Sequence, residues 1–370
     1  MRIGIDGNEA NIKLRVGSNV YAFELLRALQ KISTKHQVTV YLKADPQSDM
    51  PPASQTWRYK VITPTGLWTR WRLPLELYSA RPRENVFFTP GHYAPKFCPM
   101  PLAVSIMDLS FLHYPDMFRA KDRYTLTRWT KDSIKRANHI FTISQFSKDD
   151  IIKNYQIPEK NISVTYPGWS RETFERQITK GQIRRVKHIY NIQGDYILYL
   201  GTLQPRKNLV RLISAFAKLN RKDLGLVIAG KKGWQYAKIL EEGKRLGIET
   251  RVRFIGFLEE EDKPAIMSGA KALMNVSLYE GFGMPVLEAM ALGVPTVISQ
   301  ASSLKELAKG IGITVDPTDV KSISGGISRV LQYTEDQRNE ISVKSKSRAQ
   351  KFSWELAAAK TLEVLNDIAV

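Results

Sequence analysis

Cysteine and long apolar runs are scarce in this chain of 370 residues. Cys98 is the single cysteine, so an intrachain disulfide cannot form and cysteine cannot supply a metal cluster. This usage is typical of a reducing compartment, and we expect a cytoplasmic protein. No apolar run has the length of a signal-peptide core or of a membrane span, so we expect neither.

Patterns of metal ligands are missing as well. The five histidines are scattered along the chain, and no Asp-x-Asp pair occurs that would hold a divalent ion beside a diphosphate. The sequence therefore predicts no metal site and no cofactor. If a phosphorylated substrate binds, the protein's own cations must neutralise its charge.

Acidic residues are fewer than basic ones. The chain has 36 aspartates and glutamates and 55 lysines and arginines, which gives a net charge of +19. Such an excess predicts an anionic partner, namely nucleic acid, acidic lipid or a phosphorylated substrate, unless it serves solubility alone. We expect no nucleic acid, because the sequence has no recognised binding motif and no basic groove with aromatic side chains. A dehydrogenase is disfavoured because no G-x-G-x-x-G pattern follows the first strand.

Short apolar strands alternate with amphipathic helices, which predicts an α/β fold with parallel sheets covered by helices on both faces. The alternation breaks between residues 169 and 195, in a polar and basic stretch that we interpret as a linker. We therefore predict two doubly wound, Rossmann-like domains, residues 1–175 and 190–350, that face a cleft. Residues 351–370 are expected to form a terminal helix that crosses back to the first domain. Ligands of such folds bind at the carboxyl ends of the strands.

The most informative stretch is residues 279–295. Pro285 suits the first turn of a helix, and Gly293 is the expected end of that helix. Gly281 and Gly283 allow the preceding backbone to turn sharply and to present amides at the helix N-terminus. Such an arrangement favours bound phosphate.

Two glutamates, Glu280 and Glu288, bracket this loop and the first helical turn. Carboxylates accept several hydrogen bonds and suit the vicinal hydroxyls of a sugar or a ribose. Phosphate and hydroxyl recognition within one segment indicate a sugar nucleotide. The residues alone also allow a blander interpretation, in which a helix packs on a sheet and both glutamates are solvated.

A second turn of interest runs from Gly201 to Asn208, between a strand and a helix. Arg206 and Lys207 should therefore lie at the carboxyl end of a strand, with Asn208 as the N-cap of the next helix. Two adjacent cations suit a diphosphate, because arginine binds it bidentately and lysine adds a point charge. A solvated turn is the alternative interpretation.

Both segments carry a family resemblance. Glu280-Gly-Phe-Gly-Met-Pro-Val-Leu-Glu288 resembles the E-x7-E signature of the retaining glycosyltransferases of GT-B fold that are called family 4 or group 1. The turn from Gly201 to Asn208 is similar to the Gly-x5-Lys-Asn motif of the same family. The resemblance implies a metal-independent hexosyltransferase that uses a nucleoside-diphosphate sugar and retains the anomeric configuration. No carboxylate is placed as a covalent nucleophile, which favours same-face attack with the leaving phosphate taking the acceptor's proton.

The resemblance also implies roles for individual residues. Arg206 and Lys207 are expected to contact the donor pyrophosphate and Glu280 to hold sugar hydroxyls, so these three are the predicted catalytic residues. Glu288 is expected to hold the ribose hydroxyls. The predicted donor-binding residues are Gly17, Gly256, Phe257, Gly281, Phe282, Gly283, Met284 and Glu288.

The first half of the chain departs from the family at one position that bears on activity. Residues 107–112 resemble a segment that usually reads His-Asp-Leu-Ser-Phe-Leu, but Met107 stands in place of the histidine. That imidazole normally points into the active site, so its loss leaves open a non-catalytic protein that binds sugar nucleotides or glycans. Asp108 is present and is expected on the acceptor side. Ser144 is expected either to touch the acceptor or to cap a helix.

The segments around residues 108–112 and 230–234 resemble polysaccharide mannosyltransferases. This implies GDP-mannose as the donor, with a UDP-hexose as the alternative, and a polysaccharide or lipid-linked glycan as the acceptor. Trp68-Thr-Arg-Trp-Arg72 and a helix with Lys121, Arg128 and Lys135 combine aromatic and basic residues, as do elements that rest on anionic membranes. We expect peripheral contact with the inner membrane face, unless these are a packed aromatic and a solvated helix face.

Overall fold

The computed structural model describes residues 1–219 and 221–369, and the chain divides into two compact units. The first unit comprises Met1–His113, Ala120–Gly168 and the C-terminal segment from Ser353. The second unit comprises Tyr114–Arg119 and Trp169–Phe352. Each unit is built around its own parallel sheet.

Seven strands form the sheet of the first unit. They are β1 (Arg2–Asp6), β2 (Gln37–Leu42), β3 (Trp57–Val61), β4 (Val86–Thr89), β5 (Leu102–Ser105), β6 (His139–Thr142) and β7 (Ile162–Val164). Their order across the sheet is β3-β2-β1-β4-β5-β6-β7, and every neighbouring pair is parallel.

Six strands form the sheet of the second unit. They are β8 (Asp195–Leu200), β9 (Leu224–Ala229), β10 (Val252–Gly256), β11 (Leu273–Asn275), β12 (Thr296–Ser299) and β13 (Ile313–Val315). Their order is β10-β9-β8-β11-β12-β13, again with parallel neighbours. The central strands are buried apolar runs, as expected for sheets covered by helices on both faces.

The helices, in chain order, are α1 (Ser18–Ile32), α2 (Leu73–Ser79), α3 (Ser110–His113), α4 (Ala120–Arg136), α5 (Gln145–Tyr155), α6 (Arg171–Phe174), α7 (Lys180–Ile189), α8 (Leu209–Ala217), α9 (Ala237–Arg245), α10 (Lys263–Gly269), α11 (Met284–Leu292), α12 (Ser303–Ala308), α13 (Val320–Leu331), α14 (Glu335–Ala349) and α15 (Trp354–Ile368). Strands and helices alternate through both units, and the prediction of two doubly wound α/β sheets is confirmed.

The order of strands reverses once in each sheet. In the first unit β1 lies between β2 and β4, and in the second unit β8 lies between β9 and β11. At such a switch point the loops that follow neighbouring strands diverge to opposite faces, which leaves a crevice at the carboxyl edge where doubly wound sheets bind ligands. The loops after β1 and β4 therefore frame one candidate crevice, and the loops after β8 and β11 frame the other.

Residues 169–195, for which we predicted a linker, contain the helices α6 and α7. Thr179 caps α7 in a reciprocal capping box with Gln182, and Arg185 donates to Asp262 at 2.6 Å. Most residues of α7 are polar, so the composition of this segment did not indicate a helix. A narrow apolar stripe is enough for α7 to pack against α10.

The last helix, α15, packs against α1 inside the first unit. The rings of Tyr21 and Trp354 meet edge to face, with 5.8 Å between their centres. A Cβ at Gly168 would come within 2.2 Å of the Trp354 backbone nitrogen, so only glycine allows this close approach. Among the helices of the described residues, none is both long enough and apolar enough to cross a membrane.

Candidate active site

Arg206 and Lys207 lie in one 3-10 turn that follows β8. The next residue, Asn208, has a left-handed backbone with φ 63°, a conformation that asparagine tolerates. Asn208 is the N-cap residue of α8, as predicted, but its side chain makes no capping hydrogen bond. Its side-chain amide donates instead to the carbonyl oxygen of Val276 at 2.9 Å, which ties the cationic turn to the loop that follows β11.

Glu280, in the loop after β11, lies against both cations. Lys207 Nζ donates to Glu280 Oε1 at 2.5 Å, and Arg206 Nη1 lies 3.6 Å from Glu280 Oε2. The Ser277 hydroxyl donates to Glu280 Oε1 at 3.0 Å. Arg206 Nη1 also donates to the carbonyl oxygen of Tyr279 at 2.8 Å. A largely buried ion-pair cluster thus joins the two loops that frame the switch point of the second sheet.

The charges of this cluster do not balance, because two cations face one carboxylate. Burial raises the pKa of Glu280, but the attraction of Lys207 and Arg206 outweighs burial and holds that pKa below its usual value. Glu280 is therefore ionised at neutral pH. Arg206 Nε is buried and has no hydrogen-bond partner in the described part of the chain. Because a buried donor without a partner is costly, the cluster is suited to bind a further anion.

The loop from Gly281 to Gly283 carries the chain from this cluster into α11. Gly283 has φ 101°, and a Cβ there would come within 2.5 Å of Leu304, so glycine is required. Phe282 is buried and its ring lies 5.7 Å from that of Phe352. These contacts fix the path of the loop, and the buried Gly281 joins Phe282 to Glu280.

The helix α11 begins and ends where the sequence predicted. Met284 is its first residue, Pro285 lies in its first turn, and Gly293 ends it in a left-handed conformation with φ 75°. Met284 is half-buried and lies next to the loop that holds Glu280. The positive end of the helix dipole therefore lies at this loop.

Glu288 lies in the second turn of α11 and is only 8% exposed. Its Oε2 atom has no hydrogen-bond partner among residues 1–219 and 221–369. Burial raises the pKa of Glu288 to about 7, while the charge of Lys263 lowers it and that of Glu260 raises it. A buried carboxylate oxygen without a donor is an acceptor suited to the hydroxyl of a ligand.

Gly256 and Phe257 follow β10 at the same edge of the sheet. Gly256 has φ 75°, and its carbonyl accepts a hydrogen bond from the N–H of Gly230 at 2.6 Å. Phe257 is half-buried, and the Lys231 ammonium lies 5.0 Å from its ring centre.

The other predicted site residues, Gly17, Asp108 and Ser144, lie in the first unit. Gly17 precedes α1 with φ 53°, and among the described residues other than its chain neighbours no atom lies within 4 Å of the position that a Cβ would occupy. Asp108 accepts a hydrogen bond from the N–H of Ser110 at 2.9 Å, at the start of α3. Ser144 is fully buried and accepts from the N–H of Ser147 at 3.0 Å, so it caps α5, one of the two roles predicted for it.

Met107 is 6% exposed, and its N–H donates to Nε2 of His92 at 3.2 Å. Burial lowers the pKa of His92, although the charge of Asp108 opposes that shift. A neutral imidazole from the loop after β4 therefore supports the backbone of Met107. No motif pointed to His92 in the sequence.

The second unit brings the three predicted catalytic residues into contact and places Gly281–Met284 directly after them. Sequence reasoning missed two neighbours of this site, Ser277 at Glu280 and Lys263 near Glu288. Pro264 marks the start of a helix and so places Lys263 in its first turn. Nothing in the sequence shows that this helix, α10, packs beside α11.

Comparisons with known proteins identify the family of the chain. A family model described as Glycosyl transferases group 1 matches residues 182–348, and one described as Glycosyltransferase Family 4 matches residues 16–172. The two models together cover most of the chain.

Related proteins and solved structures extend the match. The O-antigen chain mannosyltransferase B of Escherichia coli is 32% identical over 288 residues, which are 76% of this chain and 74% of that protein. The O-antigen chain mannosyltransferase RfbU of Salmonella typhimurium is 27% identical over 62% of this chain and 60% of that protein. The structure of Anabaena HepE in complex with UDP and glucose matches with a TM-score of 0.78 and 19% identity, over 99% of this chain and 100% of that one. The GT-B fold is confirmed, and the chain belongs to the group 1 family of glycosyltransferases.

Proposed function

We propose that this glycosyltransferase transfers a mannosyl unit from GDP-mannose to a hydroxyl of a polysaccharide or lipid-linked glycan. The transfer retains the anomeric configuration and needs no metal ion. The names of the two O-antigen mannosyltransferases support the sugar and the class of acceptor. A UDP-hexose is the alternative donor, since the structure of HepE was determined with UDP and glucose.

The observation that carries the proposal is the cluster of Arg206, Lys207 and Glu280 at the switch point of the second sheet. A diphosphate in this crevice meets an excess positive charge and the unpaired Nε of Arg206. The N-terminus of α11 at Met284 adds a partial positive charge at the same edge. Fixed positive charge around a leaving diphosphate stabilises the transition state by several kcal/mol, which is the largest contribution expected here.

The ribose and the base of the nucleoside contact different residues. Glu288 accepts hydrogen bonds from the ribose hydroxyls through its unpaired Oε2 atom. Phe257 and the backbone of Gly256 contact the base at the end of β10. Gly17, with open space around it, allows a phosphate to approach the backbone before α1.

Glu280 holds the hydroxyls of the transferred sugar while its charge is balanced by Lys207. In the transfer, the bond between the anomeric carbon and the diphosphate oxygen breaks, and the acceptor oxygen bonds to the same face of that carbon. The proton of the acceptor hydroxyl passes to the leaving phosphate. Asp108, beside α3 in the first unit, contacts the acceptor.

Donor binding is tested by thermal unfolding in the presence of GDP-mannose, UDP-glucose and ADP-glucose. A ligand at 100 to 1,000 times its Kd stabilises the native protein by about 3–4 kcal/mol. We expect the largest rise in Tm with GDP-mannose, and we expect Lys207→Ala and Glu288→Ala to remove it. The control is Lys222→Ala, an exposed lysine of the same unit, which should respond as the native protein does. No rise with any nucleotide sugar would contradict the proposal.

We also propose that an exposed patch of the first unit contacts anionic lipid. Only part of the predicted segment contributes, because Trp68 is 2% exposed and lies under Lys43. Trp71 is 49% and Phe97 46% exposed, with 6.3 Å between their ring centres. The Lys96 ammonium lies 5.4 Å from one ring and 5.3 Å from the other. Aromatic rings capped by a cation suit the interface between water and anionic headgroups.

The basic face of α4 extends this patch. Lys121, Arg128 and Lys135 are all exposed, and the guanidinium of Arg70 lies 4.7 Å from the ring of Trp129 on the same helix. Flotation with vesicles of phosphatidylglycerol and phosphatidylcholine tests the patch. Trp71→Ala combined with Phe97→Ala should reduce the bound fraction at least several-fold, whereas Leu356→Ala, at an exposed apolar position on α15 of the same unit, serves as the control. Equal flotation of both variants would contradict the contact.

A further inference from the structure

A carboxylate also lies at the switch point of the first sheet, between the loops that follow β1 and β4. Glu9 lies in the loop after β1, and Gly91 lies in the loop after β4. A Cβ at Gly91 would come within 3.0 Å of Cγ and 3.7 Å of Cδ of Glu9. The side chain of Glu9 therefore spans the crevice where a doubly wound sheet places its ligand.

Glu9 is held in position by the start of α1. Asn19 Nδ2 donates to Oε2 of Glu9 at 2.8 Å and to its carbonyl oxygen at 3.1 Å, and Ser18 adds a side-chain hydrogen bond. A carboxylate can accept about four hydrogen bonds, so these two donors leave acceptor capacity on Glu9. The side chain is therefore held in position and keeps acceptor capacity that a ligand could use.

The electrostatic surroundings of Glu9 suit neutral hydroxyl donors better than a further anion. Burial and the charge of Asp6 raise the pKa of Glu9, although Lys43 opposes that shift. Such an environment disfavours an additional anion and favours neutral hydroxyl donors. Tyr93, two residues after Gly91, feels the charge of Glu9, and its pKa is raised to about 12, chiefly by burial.

Aromatic surface adjoins this carboxylate. The ring of Tyr93 packs against that of Trp129 with 5.4 Å between centres, and both residues are only half-buried. An amphipathic ring beside a fixed carboxylate suits a sugar, because the ring covers the apolar face and the carboxylate accepts from the hydroxyls.

We propose that Glu9, together with Tyr93, forms the subsite that binds the sugar of the acceptor, with the Glu9 carboxylate accepting hydrogen bonds from its hydroxyls. The assignment as an acceptor subsite rests on the proposed function, whereas the binding of a glycoside at Glu9 can be measured without any donor. A structural role is the competing explanation, since Glu9 also fixes the loop that leads into α1.

Saturation-transfer NMR with methyl α-D-mannopyranoside and octyl α-D-mannopyranoside tests the subsite directly. The native protein should transfer saturation to the ring protons of at least one mannoside. Glu9→Gln keeps the size and the bond from Asn19 but loses the charge, and should weaken mannoside binding about 10-fold or more, as is typical when a charged hydrogen-bond partner is lost. Tyr93→Ala should also weaken it.

The control is Glu159→Gln, in which an ion-paired glutamate at the opposite edge of the same sheet is replaced. It should bind the mannosides as the native protein does. Glu9→Gln should also keep the rise in Tm caused by GDP-mannose and unfold at nearly the native Tm, which a purely structural role would not allow. Unchanged mannoside binding in Glu9→Gln, or none by the native protein, would overturn the inference. If GDP-mannose does not raise the Tm of the native protein, that result instead rejects the proposed function.

Discussion

At the residue scale, the pair of Lys207 and Glu280 illustrates how a buried charge is tolerated. Each side chain is about nine-tenths buried, and their separation of 73 residues means that no local pattern could pair them. One motif predicted that Arg206 and Lys207 contact a phosphate, and a separate motif predicted that Glu280 contacts a hydroxyl. The direct contact between them appears only when β8 and β11 become neighbours.

Breaking this pair should cost stability as well as activity. Lys207→Ala leaves Glu280 with Arg206 at 3.6 Å as its remaining cation, and we expect a loss of about 3 kcal/mol in the free energy of unfolding. Glu280→Gln added to Lys207→Ala should restore part of that loss, since the uncompensated charge is gone. Urea unfolding of the two single variants and the double variant measures the coupling. Strictly additive losses would show that the two side chains act independently.

Glu288 should make the folded protein less stable as the pH rises, which is the opposite of the usual effect of a carboxylate. Its folded-state pKa of about 7 lies above the ordinary 4.5, so the folded protein binds the proton more tightly than the unfolded chain does. Its contribution to stability is therefore present at acid pH and is lost as pH rises towards 7. The linkage amounts to about 2 kcal/mol between pH 5 and pH 8.

Replacement of Glu288 by glutamine should remove this dependence. Glu288→Gln should be about 2 kcal/mol more stable relative to the native protein at pH 8 than at pH 5, as measured by urea unfolding at both pH values. Glu249→Gln, at an exposed position of the same unit, is the control and should follow the native curve. A difference between Glu288→Gln and the native protein that stays constant with pH would refute the raised pKa.

At the element scale, strands were predicted more accurately than the boundaries of polar helices. The strand β8 was expected at 196–200 and forms at Asp195–Leu200, because a buried parallel strand is one continuous apolar run. The helix α11 was expected at 285–292 and forms at Met284–Leu292, because proline and glycine mark its ends. The helix α7 was missed because its sequence is mostly polar and lies in a stretch interpreted as a linker.

Capping was harder to predict than the helices themselves. Ser144 caps α5 as expected, since serine before an extended start is the common arrangement. Asn208 is the N-cap residue of α8, but its side chain makes no capping bond, because its backbone is left-handed and its amide reaches Val276. That bond depends on the loop after β11, which the sequence could not place.

The loop that leads into α11 should tolerate no side chain at Gly283. Gly283→Ala combines a φ of 101° with a contact of 2.5 Å to Leu304, and we expect a loss of about 2 kcal/mol or more together with weaker donor binding. Gly325→Ala is the matched control, because it lies inside α13 and, apart from its chain neighbours and the nearby backbone of the helix, no atom of the described residues lies within 4 Å of the new Cβ. The control should be stabilised by about 0.5–1 kcal/mol. Equal effects of the two alanines on the free energy of unfolding would contradict this account.

At the scale of the whole molecule, topology explains why the chemistry lies where it does. Each sheet reverses its strand order once, and a carboxylate lies at each reversal. It is Glu280, paired with Lys207, in one unit and Glu9, beside Gly91, in the other. The sequence identified the first site through its resemblance to a family. It gave no sign of the second, because no motif marked Glu9.

The measurement that tests the central claim most directly is the stereochemistry of transfer. We would incubate the native protein with GDP-mannose labelled with ¹³C at the anomeric carbon and with octyl α-D-mannopyranoside, in the presence of EDTA, and follow that carbon by NMR. We expect a new α-linked mannoside from the native protein and none from Lys207→Ala or Arg206→Ala. A β-linked product would contradict the retaining mechanism. Transfer that occurs without EDTA but not in its presence would contradict the metal-independent mechanism.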